Sequence, residues 1–248
     1  MRVGVAGFLA SALIVLPVGA SADLAGVYVG AAVWDHEPSG DVRYLGTDAD
    51  LENDLALEAE TEGMAWLAVE HPVPLLPNLR LQHTLLSTDG RGRVSRTFTF
   101  GNQTFTATEN VDTTLELDQT DLTLYYELLD NVVSLDLGLT LKQVDGFARV
   151  RSSTQDESAT FDGLLPMGYA DVALSLPLTG LSAGVSGNLF SFADSTVSDY
   201  TVRLRYETDW RLGAEAGYRR QDIELDDVDE VFSDITFEGP YLGLYLHF

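Results

Sequence analysis

The chain has 248 residues, no cysteine, and 14 Lys plus Arg against 39 Asp plus Glu, for a formal net charge of −25. Without cysteine there is no disulfide framework, thiolate metal site or cysteine nucleophile. The acidity argues against nucleic acid as a partner, and 45% hydrophobic residues with a mean hydropathy of +0.03 argue against a disordered chain.

Residues 1–22 read as a secretory signal peptide. Arg2 supplies the positive start, Val3 to Val18 is mostly small and apolar, and Ala20-Ser21-Ala22 is a small-residue cleavage pattern before Asp23. A transmembrane anchor is the competing reading, but the apolar stretch is short for one. Removing Arg2 takes the charge to −26, and the domain to be folded is 23–248. Beyond Val18 no run reaches the ~18 apolar residues of a spanning helix. Period-two alternation recurs instead, which is how a strand with one face toward lipid reads. The expected fold is all-β: a single transmembrane antiparallel up-and-down β-barrel.

The first candidate strand is Leu24–Trp34, with Val27, Val29, Ala31 and Val33 on one face, followed by a polar loop from Asp35 to about Asp54. Leu55–His71 reads as one long strand. Leu55, Leu57, Ala59, Ala65, Leu67 and Val69 share its odd face, and Glu58, Glu60, Glu62, Trp66 and Glu70 its even face. Pro72, Pro74 and Pro77 remove ladder donors, so Pro72–Asn78 is a rigid periplasmic turn. A third strand runs from Leu79 to about Ser87 and resumes at Arg96–Phe100, with Thr88–Arg93 as a loop or hairpin tip.

Thr113–Leu129 and Val132–Arg149 form the clearest hairpin, turning at Asp130-Asn131. Leu115 and Leu117 have the opposite parity to Leu122, which predicts a bulge near Gln119–Asp121. A polar loop, Arg151–Gly163, precedes strands near Leu164–Leu176, Leu181–Phe192, Val197–Glu207, Trp210–Ile223 and Ile235–Phe248, the last two separated by an acidic loop, Glu224–Asp234. The total is ten strands, or eight if two short segments belong to their neighbours. An even count puts both termini on the periplasmic side of a bacterial outer membrane. In the last strand Leu242, Leu244, Leu246 and Phe248 face lipid, and this ending reads as the signal for the barrel-assembly machinery.

Two segments carry a resemblance. Glu70-His71-Pro72-Val73-Pro74-Leu75-Leu76-Pro77-Asn78-Leu79-Arg80 and Asp121-Leu122-Thr123-Leu124-Tyr125-Tyr126-Glu127-Leu128-Leu129-Asp130-Asn131 resemble the signatures of a family of uncharacterised proteobacterial outer-membrane β-barrel proteins. The resemblance implies fold and location. It implies no catalytic residue.

Strand parity points a set of charges into the lumen: Glu58, Glu60, Glu62, Arg80, Glu116, Asp118, Glu127, Asp136, Lys142, Arg203, Arg205, Arg211, Glu215 and Arg219. A Lys or Arg facing lipid at the midplane costs about 2–4 kcal/mol, so inward orientation is preferred. Paired charges make a plugged lumen the first expectation, with a structural, adhesive or minor transport role. A narrow polar conduit is the alternative. An outer-membrane enzyme acting on lipid or peptide is the third reading, and His36 beside Asp35, with Ser39 nearby, is its one catalytic candidate; His71 and His247 fall at the periplasmic ends, and His83 near the same rim. No catalytic, cofactor or metal constellation is assigned. Asp48, Asp50, Glu52 and Asp54 alternate as oxygen ligands do, but Asn53 stands where an EF-hand needs glycine and Ala59 where it needs the last acid. Loose divalent cations at acidic outer loops, outer-membrane lipid and the assembly machinery are the expected partners.

Overall fold

The computed structural model describes residues 26–73, 75–228 and 230–248. The proposed signal peptide and Pro74 lie outside them. The strands are β1 (Gly26–Tyr44), β2 (Ala49–Asp50), β3 (Glu60–Glu70), β4 (Asn78–Thr84), β5 (Ser87–Arg93), β6 (Phe98–Phe100), β7 (Gln103–Phe105), β8 (Asn110–Asp130), β9 (Val133–Arg151), β10 (Asp156–Leu176), β11 (Leu181–Phe192), β12 (Ser195–Glu207), β13 (Leu212–Val228) and β14 (Val231–His247). Each wall strand pairs antiparallel with its neighbours, and β14 closes on β1, with Tyr28 opposite His247 and Trp34 opposite Tyr241. With β4 and β5 as one interrupted staple beside β8, the wall is a closed barrel of ten strands. Closure leaves no open sheet edge at the seam.

The barrel has two ends. At the lower end the chain terminus meets the short turns, which include 177–180 and 208–211. Asn78 stabilises the proline-rich turn there by accepting a hydrogen bond from the His71 backbone at 3.0 Å. Above it, outward positions form an apolar belt: Val27 to Val33 on β1, Leu137 to Leu141 on β9, Val202 to Tyr206 on β12, and Leu242 to Leu246 on β14 with Phe248 just after it. On β9 the outward run from Val133 to Leu141 covers about 27 Å of strand, or about 20 Å upright at a tilt near 40°.

Several expected loops are strand. The chain stays extended from Asp35 to Tyr44, and Thr88–Arg93 pairs with β8. Most of Arg151–Gly163 belongs to β10, and most of Glu224–Asp234 to β13 and β14. These polar stretches stand above the belt, where the outer face meets no apolar medium and polar composition is compatible with strand. Leu55 and Leu57 are not on an outward strand; they are buried in the segment before β3, which begins at Glu60. No bulge occurs at Gln119–Asp121. The register between β8 and β9 is continuous there and shifts only between Glu127 and Leu129.

Candidate functional site

The lower lumen is filled by ion pairs. Asp199 on β12 is the hub: Arg219 donates to it through Nε at 3.0 Å and Nη2 at 2.8 Å, Gln221 at 2.8 Å, and Lys142 Nζ at 3.2 Å. Lys142, only 2% exposed, also donates to Asp121 at 2.9 Å and Gln119 at 2.8 Å. Arg219 stacks over Trp34, 4.8 Å from the ring centroid. Below this hub Arg203 pairs with Asp171 at 2.6 Å and Arg205 with Glu215 at 2.7 Å. Small inward residues make room for rings: Trp66 lies over Gly30, where a Cβ would come within 2.2 Å of it. The space left among these side chains is about 60 Å3, room for a few waters.

The predicted lumen charges therefore divide. Lys142, Arg203, Arg205, Glu215, Arg219 and Arg80 line the interior, Arg80 bonded to Gln82 at 2.9 Å. Glu127 and Asp136 oppose each other across β8 and β9 near the lower mouth. Glu62 accepts a hydrogen bond from Ser87 at 2.6 Å. The rest lie elsewhere. Glu58 and Glu60 are exposed. Glu116 and Asp118 take the outer face of β8, because Leu117 and Gln119 hold the inward positions. Arg211 sits in the turn before β13 with a left-handed φ of 62°.

His36 is fully buried inside the barrel between Trp34 and Phe237, and neither ring nitrogen meets a hydrogen-bonding group of the protein. Ser39, three residues on, takes the opposite face of β1. Alternation thus separates the one nucleophile–base pair that proximity had offered. His83 stands on the outer face at the upper edge of the belt, not at the lower rim, and contacts Thr120 Oγ1 at 3.0 Å. Among the described residues no three His, Asp or Glu side chains converge as a metal site.

Above the ion pairs the lumen changes character. A cavity of about 490 Å3 occupies the upper barrel, walled by Leu115, Leu117, Val144, Ala148, Val150, Val197, Ile223 and Ile235. Gln119, Lys142, Asp199 and Gln221 form its polar floor. Leu51, Leu55, Leu57 and Phe100 contribute from the segments above. This volume falls within the range of about 300–1,000 Å3 typical of small-molecule pockets.

The sequence signal for this cavity is a change of apolar parity without a change of register. On β8, Leu122 and Leu124 face out while Leu117 and Leu115 face in. On β9, Leu137 to Leu141 face out and Val144, Ala148 and Val150 face in. On β14, Leu242 to Leu246 face out, and Phe237 and Ile235 are buried. At one height around the barrel, apolar surface moves from the outside to the inside.

The roof is an ordered lid. Residues 45–59 pack with the β6–β7 hairpin, whose Phe98 and Phe105 rings stack at 5.3 Å. Asp54 pins the two parts together, accepting from Ser95 and from Arg96 Nε at 2.7 Å. Burial alone would raise the Asp54 carboxyl, but these hydrogen bonds outweigh it and hold it below the usual carboxylate range. Glu109 ties the lid to the β9–β10 turn. Hydrogen bonds from Ser152, the Thr106 backbone and Thr154 hold its carboxyl at about 2.

No family model matches the chain, and no curated protein matches it. Among solved structures it is similar to the transport unit of the autotransporter AIDA-I from Escherichia coli (9% identity, 95% of this chain and 93% of that one, TM-score 0.42). It is also similar to the translocator domain of the autotransporter NalP from Neisseria meningitidis (12%, 89% and 88%, TM-score 0.39). A Pseudomonas aeruginosa FadL homologue is a third (11%, 91% and 90%, TM-score 0.35).

Proposed function

We propose that this chain is an outer-membrane barrel that binds an apolar or amphiphilic small molecule in its upper half, above a lumen closed by ion pairs. The observation that carries the reading is the roofed apolar cavity of about 490 Å3 with a polar floor. A barrel of this size could have been filled throughout by side chains; here only the lower part is. The outward belt supports membrane insertion, because a water-exposed apolar surface seldom exceeds a few hundred Å2 on a soluble monomer, and this one circles the wall.

In this reading the protein is a receptor or carrier for its ligand, not an open channel for polar solutes. The test is a titration of the barrel, in nanodiscs, with the apolar dye N-phenyl-1-naphthylamine. Saturable binding to one site is expected, with loss in Ala148→Trp, whose indole would occupy the cavity. Equal saturable binding by Ala148→Trp would refute the assignment of the site. In planar bilayers the folded protein should show no discrete openings, since the lower lumen leaves about 60 Å3.

A further inference from the structure

The cavity also has a side opening. β10 pairs with β9 from Asp156 to Leu174, but with β11 only from Gly168 to Leu176. Residues 156–167 thus have one free edge among the described strands. Pro166, which has no N–H to offer, stands just above the last pair, Gly168 opposite Leu189. The gap persists because the β11–β12 hairpin is short: it turns between Phe192 and Ser195 while β10 continues upward. On the far side the top of β13 closes over the hairpin tip, where the Asp226 amide donates to Ser195 Oγ at 3.1 Å.

The cavity extends to this notch, whose unpaired edge contributes Thr160, Phe161, Asp162, Gly163 and Leu165 to its lining. Two inward-phased aromatic rings stand in the opening and are nevertheless wet, Phe161 at 43% and Phe192 at 74% exposed. The foot of the notch coincides with the top of the belt. Leu164 and Leu189 are the last outward apolar residues there, and Asp162 and Ser191 follow them. Carboxylates sit on the elements that border the notch, Asp162 on β10, Asp194 in the β11–β12 turn, and Glu224, Asp226 and Asp227 at the top of β13, while Arg149, which also lines the cavity, is paired with Asp156.

Resting on the ligand-binding reading of the cavity, we infer that the notch admits the alkyl chain of a membrane-borne amphiphile whose head group is uncharged or cationic. The chain turns from the membrane into the apolar cavity, and the head stays at the water boundary among the rim carboxylates. An anionic head would meet like charges there.

The experiment uses the whole barrel in zwitterionic phosphatidylcholine nanodiscs, which carry no net charge, with N-phenyl-1-naphthylamine in the cavity. Monolauroylglycerol, dodecyltrimethylammonium and dodecanoate, of equal chain length, compete for it. The first two should displace the dye, and dodecanoate should be weaker by about tenfold or more at low salt, the gap narrowing as salt screens the rim. Dodecanoate displacing the dye as well as the others would overturn the head-group assignment. The route is tested separately. Gly163→Cys supplies a thiol in a cysteine-free chain at a position where an added Cβ meets nothing within 4 Å. A bulky maleimide attached after folding should slow amphiphile entry by about tenfold or more relative to the same unlabelled protein. Unchanged entry would overturn the notch as the route while leaving the cavity intact. If the dye itself fails to bind the parent, the ligand-binding reading falls instead.

Discussion

Asp199 shows most clearly how single residues hold this barrel. It is buried with two cationic partners and a glutamine, so removing its charge leaves Lys142 and Arg219 without their shared counter-ion. Breaking a buried pair of this kind costs about 3–5 kcal/mol. Asp199→Asn should lower unfolding stability by that order, measured by urea titration in lipid vesicles. Arg91→Ala, at an exposed Arg91–Asp112 pair, should change it by less than about 1 kcal/mol. Equal effects would mean that the hub does not bear the load assigned to it.

Glu109 gives a pH-dependent counterpart in the lid. Its folded value, about 2, lies below the ordinary glutamate value. Its contribution is therefore fully present above that ordinary value and is lost as pH falls toward 2. Carboxyl NMR should place the Glu109 midpoint near 2, with the amide shifts of Thr106 and residues 152–155 moving at the same midpoint. A midpoint near 4.3 with those amides unaffected would show that the tether is absent in solution.

Among the elements, β10 is the one whose two halves differ. In an antiparallel strand successive amides point to opposite neighbours. Hydrogen exchange should therefore alternate along residues 156–165, slow for amides facing β9 and fast for those facing the notch, while 170–174 are protected throughout. Uniform protection along the whole strand would mean that the notch is closed. Within the belt, this level of structure was legible in the sequence, since Leu122–Leu124, Leu135–Leu141 and Leu242–Phe248 announced strands and their outward face. It was not legible above the belt. There the apolar face turns inward, so the parity of Leu115 and Leu117 imitates a bulge, and the polar outer face of Asp35–Tyr44 imitates a loop. Alternation reports that a strand has two unlike faces; it does not report which face is outside.

At the scale of the whole molecule, the barrel is two stacked compartments with different contents. The lower one is filled by charges that satisfy each other, and Asp121, Asp171 and Asp199, which take the buried cations, are not among the lumen residues read from the sequence. The upper one is apolar and roofed, and no list of charged residues could have located it. Its wall depends on the parity change recurring at one height on β8, β9 and β14, which requires the register that only the closed sheet supplies. That division makes the cavity the center of the functional account.

The most direct measurement is an experimental structure of the barrel with a bromine-labelled alkyltrimethylammonium, read by anomalous scattering. The account predicts a bromine peak at the chain end among Leu117, Val144 and Ile235. Peaks confined to the outer apolar belt, with the upper cavity empty at saturating ligand, would contradict it.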